Sequence, residues 1–386
     1  MESRVEALTW PRANQNAAAL PPNPAARGLR RGWLMPSLSA PPPPKHVVDS
    51  GASARQQSEG SVSSGVRKHT RGRRRRSTPP LASVPPSSRP KLAAGTSNQH
   101  RQVIQDIDVL DVDNQLGVAD YIEDIYKFYK VAENECRPCD YIDSQADLGA
   151  WMRGILVDWI IEAHEELDLM PETLYLAVYI IDRYLSMQPV LRGELQLVGS
   201  TSLLIACKYE EEEVWAPEME VFISIANDVY SREQILRMEK AILNTLEWSL
   251  SVPTHYVFLV RFARAASSSD TKNDKEMENM VFFFAELALM QYELVPIKPS
   301  MVAAAAVYAA RLTLKKTPLW TEALQHQTGF AGSQLTDCVK IMVTAHSTAR
   351  RSELKVVYQK YSSEKLGGVA LRPPAIDFSA NKWRFG

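Results

Sequence analysis

Met152-Arg153-Gly154-Ile155-Leu156-Val157-Asp158-Trp159-Ile160-Ile161-Glu162 reads as a helix that is apolar on more faces than one bundle core requires. Met152, Leu156 and Trp159 fall at i, i+4 and i+7 and form one continuous ridge along it. Periodicity alone makes that ridge core, and any second use for it needs further motifs. Outward from this segment, from about Asp106 onward, apolar residues recur at i, i+3, i+4 and i+7 between short clusters of Pro, Gly, Ser and Asp. The pattern predicts helices near 118–134, 147–166, 172–187, 193–211, 217–226 and 231–246, the last opened by a capping box of Ser231 with Gln234. A second set is predicted near 254–266, 274–292, 299–314, 320–327 and 332–361. No stretch keeps the period-two alternation of strands joined by tight turns, so the predicted fold class is all-α.

The two sets share a layout. An aromatic-rich helix (Thr173 to Leu185, then Val281 to Leu294) is followed each time by one of small residues, Gly199 to Cys207 and then Ser300 to Val307. A helix bearing Gly, Ala, Ser and Cys on most faces lets neighbours approach from several sides and belongs at the centre of a bundle. Two such helices imply two bundles in tandem.

The formal net charge of -1 conceals a division: residues 1–105 hold 17 Lys and Arg against 4 acids, and the remaining 281 residues sum to -14. Fourteen of the 24 prolines also lie in that first segment, among Ser, Ala and Arg runs without apolar periodicity. Such a segment cannot offset its own ordering entropy, and the expectation is a disordered basic tail over 1–105. Cys136, Cys139, Cys207 and Cys338, in a long chain whose start lacks the pattern of a cleavable signal, suggest a reducing compartment without disulfides. The longest apolar run, Met301 to Ala310, is about half of the roughly 20 residues a bilayer span needs, so no membrane segment is expected.

The opening segment resembles the signature of the cyclin box. The similarity continues through Glu172 to Val178, Ile181-Asp182-Arg183-Tyr184-Leu185 and Leu191 to Gly199. Lys208-Tyr209-Glu210-Glu211, Trp215-Ala216-Pro217-Glu218, Met238-Glu239-Lys240, Leu246-Glu247-Trp248 and Val252-Pro253-Thr254 keep the family order, so the resemblance covers about 118–365. Among cyclins it resembles the B-type mitotic members, and the plant ones most. The implied architecture is two tandem cyclin-box five-helix bundles with an extra N-terminal helix. It divides the chain into a regulatory tail (1–105), an N-terminal box (106–251), a C-terminal box (252–370) and a short flexible tail (371–386).

By resemblance, the partner is a cyclin-dependent protein kinase bound as a heterodimer, activated at the G2/M transition by holding its regulatory helix inward. The chain would contribute binding energy and no chemistry, with no cofactor. Carried over by position, the kinase-binding pair falls on Lys208 and Glu239, with Tyr209, Leu243, Trp248 and Leu250 as apolar contacts around it. Tyr121 and Ile125 would pack on the kinase from a second side. Met152, Leu156 and Trp159, with Glu162 and Gln196, match the family's docking groove for substrates and inhibitors bearing an Arg-x-Leu motif, Glu162 pairing with the Arg. Two departures from the family stand out: the glutamate run Glu210 to Glu213 holds two more acids than expected before Trp215, and Gly154 replaces the usual Ala.

In the tail, Arg67-Lys68-His69-Thr70-Arg71-Gly72-Arg73-Arg74-Arg75-Arg76 suits an importin groove, with Arg73, Arg74, Arg75 and Arg76 its densest part; nucleic acid and plain solvated charge are the alternatives. Nucleus and cytoplasm are therefore the expected locations. Thr78-Pro79 is a minimal proline-directed phosphorylation site. Arg31-Gly32-Trp33-Leu34 and Arg89-Pro90-Lys91-Leu92 fit only the minimal core of a destruction box, the element that would bring a ubiquitin ligase.

The pair Cys136 and Cys139 lacks a second Cys or His pair at zinc spacing, so no metal site is expected. No phosphate loop, nucleophile elbow or His-Glu-x-x-His helix supports an enzyme. The rival readings are a transcription-factor-like helical repeat on nucleic acid, and a kinase-binding scaffold that does not activate. A body at -14 argues against direct nucleic-acid binding.

Overall fold

The structure, a computed structural model, describes residues 121–212, 216–267 and 274–375. Its helices are α1 (Ile122–Cys136), α2 (Ala150–Glu166), α3 (Pro171–Leu185), α4 (Leu195–Glu210), α5 (Met219–Ile225), α6 (Arg232–Thr245), α7 (His255–Ala266), α8 (Lys275–Leu289), α9 (Pro299–Thr313), α10 (Glu322–Thr328), α11 (Gly332–Ala349) and α12 (Val356–Tyr361). Among the described residues there is no strand. Helices α2–α6 form one bundle and α7–α11 a second, so the chain folds as the two tandem five-helix units its sequence predicts. The basic tail, with Arg73 to Arg76, Thr78 and both minimal destruction-box cores, lies outside the described residues.

Small side chains place α4 and α9 at the two centres. Helix α4 touches α2, α3, α5 and α6, while α9 touches α1, α7, α8, α10 and α11. Gly199 shows the constraint in atoms: a Cβ there would stand 2.6 Å from Cδ1 of Leu156, so α2 and α4 meet at a distance only glycine permits. Ala303 to Ala306 are all buried, and neighbouring helices close on the α9 backbone from every side.

Local signals fix the ends. At α6 the capping box forms as predicted, the Gln234 N–H reaching Ser231 Oγ (3.4 Å) and the Ser231 N–H reaching Gln234 Oε1 (2.8 Å). The single helix expected over 332–361 is instead two, α11 and α12. Between them Ser352 Oγ accepts the Leu354 N–H (3.1 Å) and Asp158 of α2 accepts the Val356 N–H (3.1 Å). Side-chain acceptors thus replace helical carbonyls at the break. Helix α12 then packs across both α2 and α8, and Glu286 of α8 holds it through Lys360 (2.7 Å) and Tyr361 (2.8 Å).

Two buried polar clusters tie these parts together, one between the bundles and one between α1 and the second bundle. Arg153 of α2, 3% exposed, donates through Nε and Nη2 to both carboxylate oxygens of Asp182 on α3 (2.8 and 2.7 Å) and through Nη1 to the Leu289 carbonyl at the end of α8 (2.6 Å). The Tyr141 hydroxyl adds a third bond to Asp182 (2.8 Å). Burial alone would lower the guanidinium pKa, but the Asp182 charge and its hydrogen bonds outweigh it and hold Arg153 protonated.

The second cluster anchors α1. Glu133, 1% exposed, accepts both the N–H and the hydroxyl of Ser300 in the first turn of α9 (2.9 and 2.8 Å). It acts as a cap supplied from another helix, meeting donors that α9 leaves unsatisfied. Lys130, one turn earlier, donates to Ser300 Oγ (3.0 Å) and the Thr328 carbonyl (2.8 Å) and lies over the Phe330 ring (4.2 Å). The extra N-terminal helix is therefore held by the second bundle.

Candidate binding surfaces

Lys208 ends α4 and Glu239 sits mid-way along α6, two helices that the small residues of α4 bring into contact. Their side chains form an ion pair of 2.5 Å, Lys208 half exposed and Glu239 13% exposed. One turn on from Glu239, Leu243 is buried against the core. Tyr209, 42% exposed, shares a hydrogen bond with the Ser251 hydroxyl. Leu250 is half-buried.

Trp248 stands out at 66% exposed. Helix α6 ends through Glu247 (φ 52°) and Trp248 (φ 59°), two successive non-glycine residues in the left-handed region. Each costs about 1 kcal/mol of strain. The turn is held by the Trp248 N–H on the Leu243 carbonyl (2.9 Å), and it lifts the indole into solvent.

On α1, Tyr121 is 63% exposed and Ile125 half-buried. Phe128, 64% exposed, continues their line at i+7, and the sequence reading missed it although the spacing Tyr121, Ile125, Phe128 is visible in the chain. The opposite face carries Lys130 and Glu133, so docking α1 on α9 turns this aromatic line outward. Burial, then the charges of Tyr209 and Glu210, raise the phenol of Tyr129 on α1. The structure thus offers an exposed aromatic line on α1 and a second group, Tyr209 with the Lys208–Glu239 pair, at the end of α4 and on α6.

The glutamate run divides by role. Glu211 accepts the Met170 N–H (2.8 Å) and the Thr173 hydroxyl (2.6 Å), capping α3 from outside it. Glu210 is pushed up to about 7 by burial, then by Glu172 and Glu211. Glu213, Val214 and Trp215 lie outside the described residues. Between about pH 4.5 and 7 the folded state holds the Glu210 proton more tightly than the unfolded chain, so this group makes stability fall as pH rises through that window. Glu210→Gln should therefore melt like the parent at pH 4.5 and at a higher temperature at pH 7.5. Identical melting differences at both pH values would contradict the assignment.

The ridge on α2 lies largely below the surface, as its periodicity predicts. Leu156 is fully buried against Gly199 and Trp159 is 4% exposed, its indole N–H meeting no acceptor, so both form a floor under this face of α2. The physical reason is the close α2–α4 approach, which draws this face of α2 into the bundle. Met152 and Gln196 are half-buried and Glu162 is exposed, its carboxyl raised by burial, then by Glu166 and Glu165. Among the described residues no helix is long and apolar enough to cross a membrane.

Comparison with known proteins agrees with this geometry. Residues 124–251 match the family described as "Cyclin, N-terminal domain" and residues 253–375 match "Cyclin, C-terminal domain". The chain is 61% identical to "Cyclin-B1-1" of Oryza sativa subsp. japonica over 95% of its own length and 81% of that protein. It is 56% identical to "Cyclin-B1-5" of the same organism, covering 75% of this chain and 63% of that one. To "G2/mitotic-specific cyclin-1" of Antirrhinum majus it is 50% identical, covering 74% and 59%. Among solved structures, a viral cyclin from herpesvirus saimiri superposes with a TM-score of 0.51 at 20% identity, over 60% of this chain and 98% of that one, a likeness of fold.

Proposed function

This chain belongs to the cyclin family, and from that premise we propose that it is the regulatory subunit of a mitotic cyclin-dependent serine/threonine kinase at the G2/M transition. The observation that carries the reading is the Lys208–Glu239 ion pair that links α4 to α6 at the surface. Tyr209 adjoins Lys208 in the chain and Leu243 lies one turn on from Glu239, Trp248 and Leu250 follow beyond the end of α6, and α1 presents Tyr121, Ile125 and Phe128. An ion pair with apolar neighbours suits a kinase helix: the apolar groups exclude water, and the charged pair then meets backbone groups the kinase leaves unpaired. Because the pair is formed before binding, little side-chain entropy is lost on contact.

Activation follows from position. A rigid two-bundle body pressed on the kinase's mobile helix holds it inward, where the kinase's own Lys–Glu pair forms, and the phosphoryl transfer remains the kinase's chemistry. Met152, Glu162 and Gln196, over the floor of Leu156 and Trp159, would hold Arg-x-Leu segments of substrates and inhibitors. Import through Arg73 to Arg76 would give the complex access to the nucleus as well as the cytoplasm.

The test is phosphorylation of a histone-type substrate by a purified mitotic cyclin-dependent kinase, titrated with the full chain. Lys208→Ala with Glu239→Ala should weaken activation by about thirtyfold or more, while the thermal transition stays in place. Binding without activation would leave a scaffold, and failure of the wild-type chain to bind any such kinase would overturn the reading.

A further inference from the structure

Between the start of α2, the end of α8 with the turn Tyr292–Leu294, the end of α11 and the start of α12 lies a cleft of about 290 Å³. Its walls are aromatic and aliphatic: the Trp151 indole, 46% exposed, the rings of Tyr292 and Tyr358, and Leu354. The charged side chains that line it are both acidic, Asp158 and Glu293. Asp158 is half-buried and accepts the Val356 N–H, and among the described residues no cation stands within ion-pair distance of it.

This cleft is separate from the Met152–Trp159 ridge. Trp151, Gly154 and Asp158 follow i, i+3 and i+7 on α2, a stripe turned by about 130° from Met152, Leu156 and Trp159. Gly154 shapes it directly. A Cβ there would come within 3.1 Å of Leu354 Cδ1, so the residue that replaces the family's usual Ala lets the Leu354 wall sit close to α2.

A carboxylate partly withdrawn from water and lacking a counter-charge, beside flat aromatic walls, is the environment a guanidinium takes. It pairs with the carboxylate through two N–H groups and stacks on rings with its planar face. The volume is at the low end of ligand pockets, roughly 300 to 1,000 Å³, and suits one long side chain with part of its backbone. We propose that this cleft docks an arginine from an extended segment of a partner protein, the guanidinium on Asp158 and the aliphatic stem between Trp151 and Leu354. The assignment is independent of the kinase-facing surface.

The experiment uses the full chain and follows the tryptophan indole N–H resonances, with that of Trp151 assigned from Trp151→Phe. The probes are the peptide acetyl-Ala-Arg-Ala-amide and its citrulline counterpart, which keeps the shape and loses the charge. The arginine peptide should move the Trp151 resonance saturably, and the citrulline peptide should bind about tenfold more weakly or not at all. Asp158→Asn should reduce arginine-peptide affinity by about the same factor, as should Trp151→Ala, a change at an exposed position that leaves the fold intact. Equal binding of the two peptides, or an Asp158→Asn chain with unchanged affinity, would overturn the proposal. A response at Trp159 in place of Trp151 would also overturn it, because the arginine would then occupy the ridge.

Discussion

Asp182→Ala is expected to lower the stability of the fold by about 3–5 kcal/mol, as removal of one partner from a buried ion pair does. The loss is large against the roughly 5–15 kcal/mol that holds an ordinary domain together. Arg153 would keep its charge at 3% exposure with no carboxylate beside it, left to the Leu289 carbonyl and the Tyr141 hydroxyl, which would itself lose its acceptor. The cost lies in the orphaned guanidinium. The pair itself is worth little, so Arg153→Met with Asp182→Leu should unfold within about 1 kcal/mol of the parent. Urea denaturation of the three chains, read at the first transition, checks both statements. A mild single mutant would mean that water reaches Arg153.

Glu133→Ala is expected to release α1 from the second bundle at a cost of about 2–4 kcal/mol, since it leaves the Ser300 N–H unsatisfied at a buried helix start and strips Lys130 of its nearby countercharge. Burial already lowers the Lys130 pKa to about 8, opposed by Glu133. Without that carboxylate, keeping the ammonium in its aromatic nest is harder. Amide exchange in α1 should accelerate by roughly 30-fold to 1,000-fold, with the α4 and α6 amides unchanged. Glu133→Gln keeps an acceptor for the Ser300 N–H and should lose much less. Kinase activation should fall with α1 protection, because Tyr121, Ile125 and Phe128 are presented only while the opposite face is docked.

Legibility in the sequence followed the range of the interactions. The centres of both bundles were readable because smallness is a property of the residues themselves, as Gly199 and Ala303 to Ala306 show. The Ser231–Gln234 cap was readable because its partners are three residues apart. The break before α12 was not, since the acceptor that stabilises it, Asp158, lies 198 residues away in the chain. Lys130 and Glu133 look like ordinary solvated charges on an amphipathic helix until Ser300 and Thr328 are seen beneath them. Lys208 and Glu239 could be paired in advance only through family resemblance; nothing in their spacing brings them together. Leu156 and Trp159 taught the reverse: periodicity favoured a core role, and the structure puts both below the surface.

The capping of α9 by a residue of α1 also sets a timetable for synthesis. Glu133 waits for Ser300, 167 positions later, and Lys130 for the Thr328 carbonyl, 198 positions later. At about 5–20 residues per second a ribosome takes roughly 10–40 s to make that stretch. During that interval the first bundle emerges while α1 still lacks the face of the second bundle that it will lie on. The last bonds of the first helix close only when the second bundle leaves the tunnel.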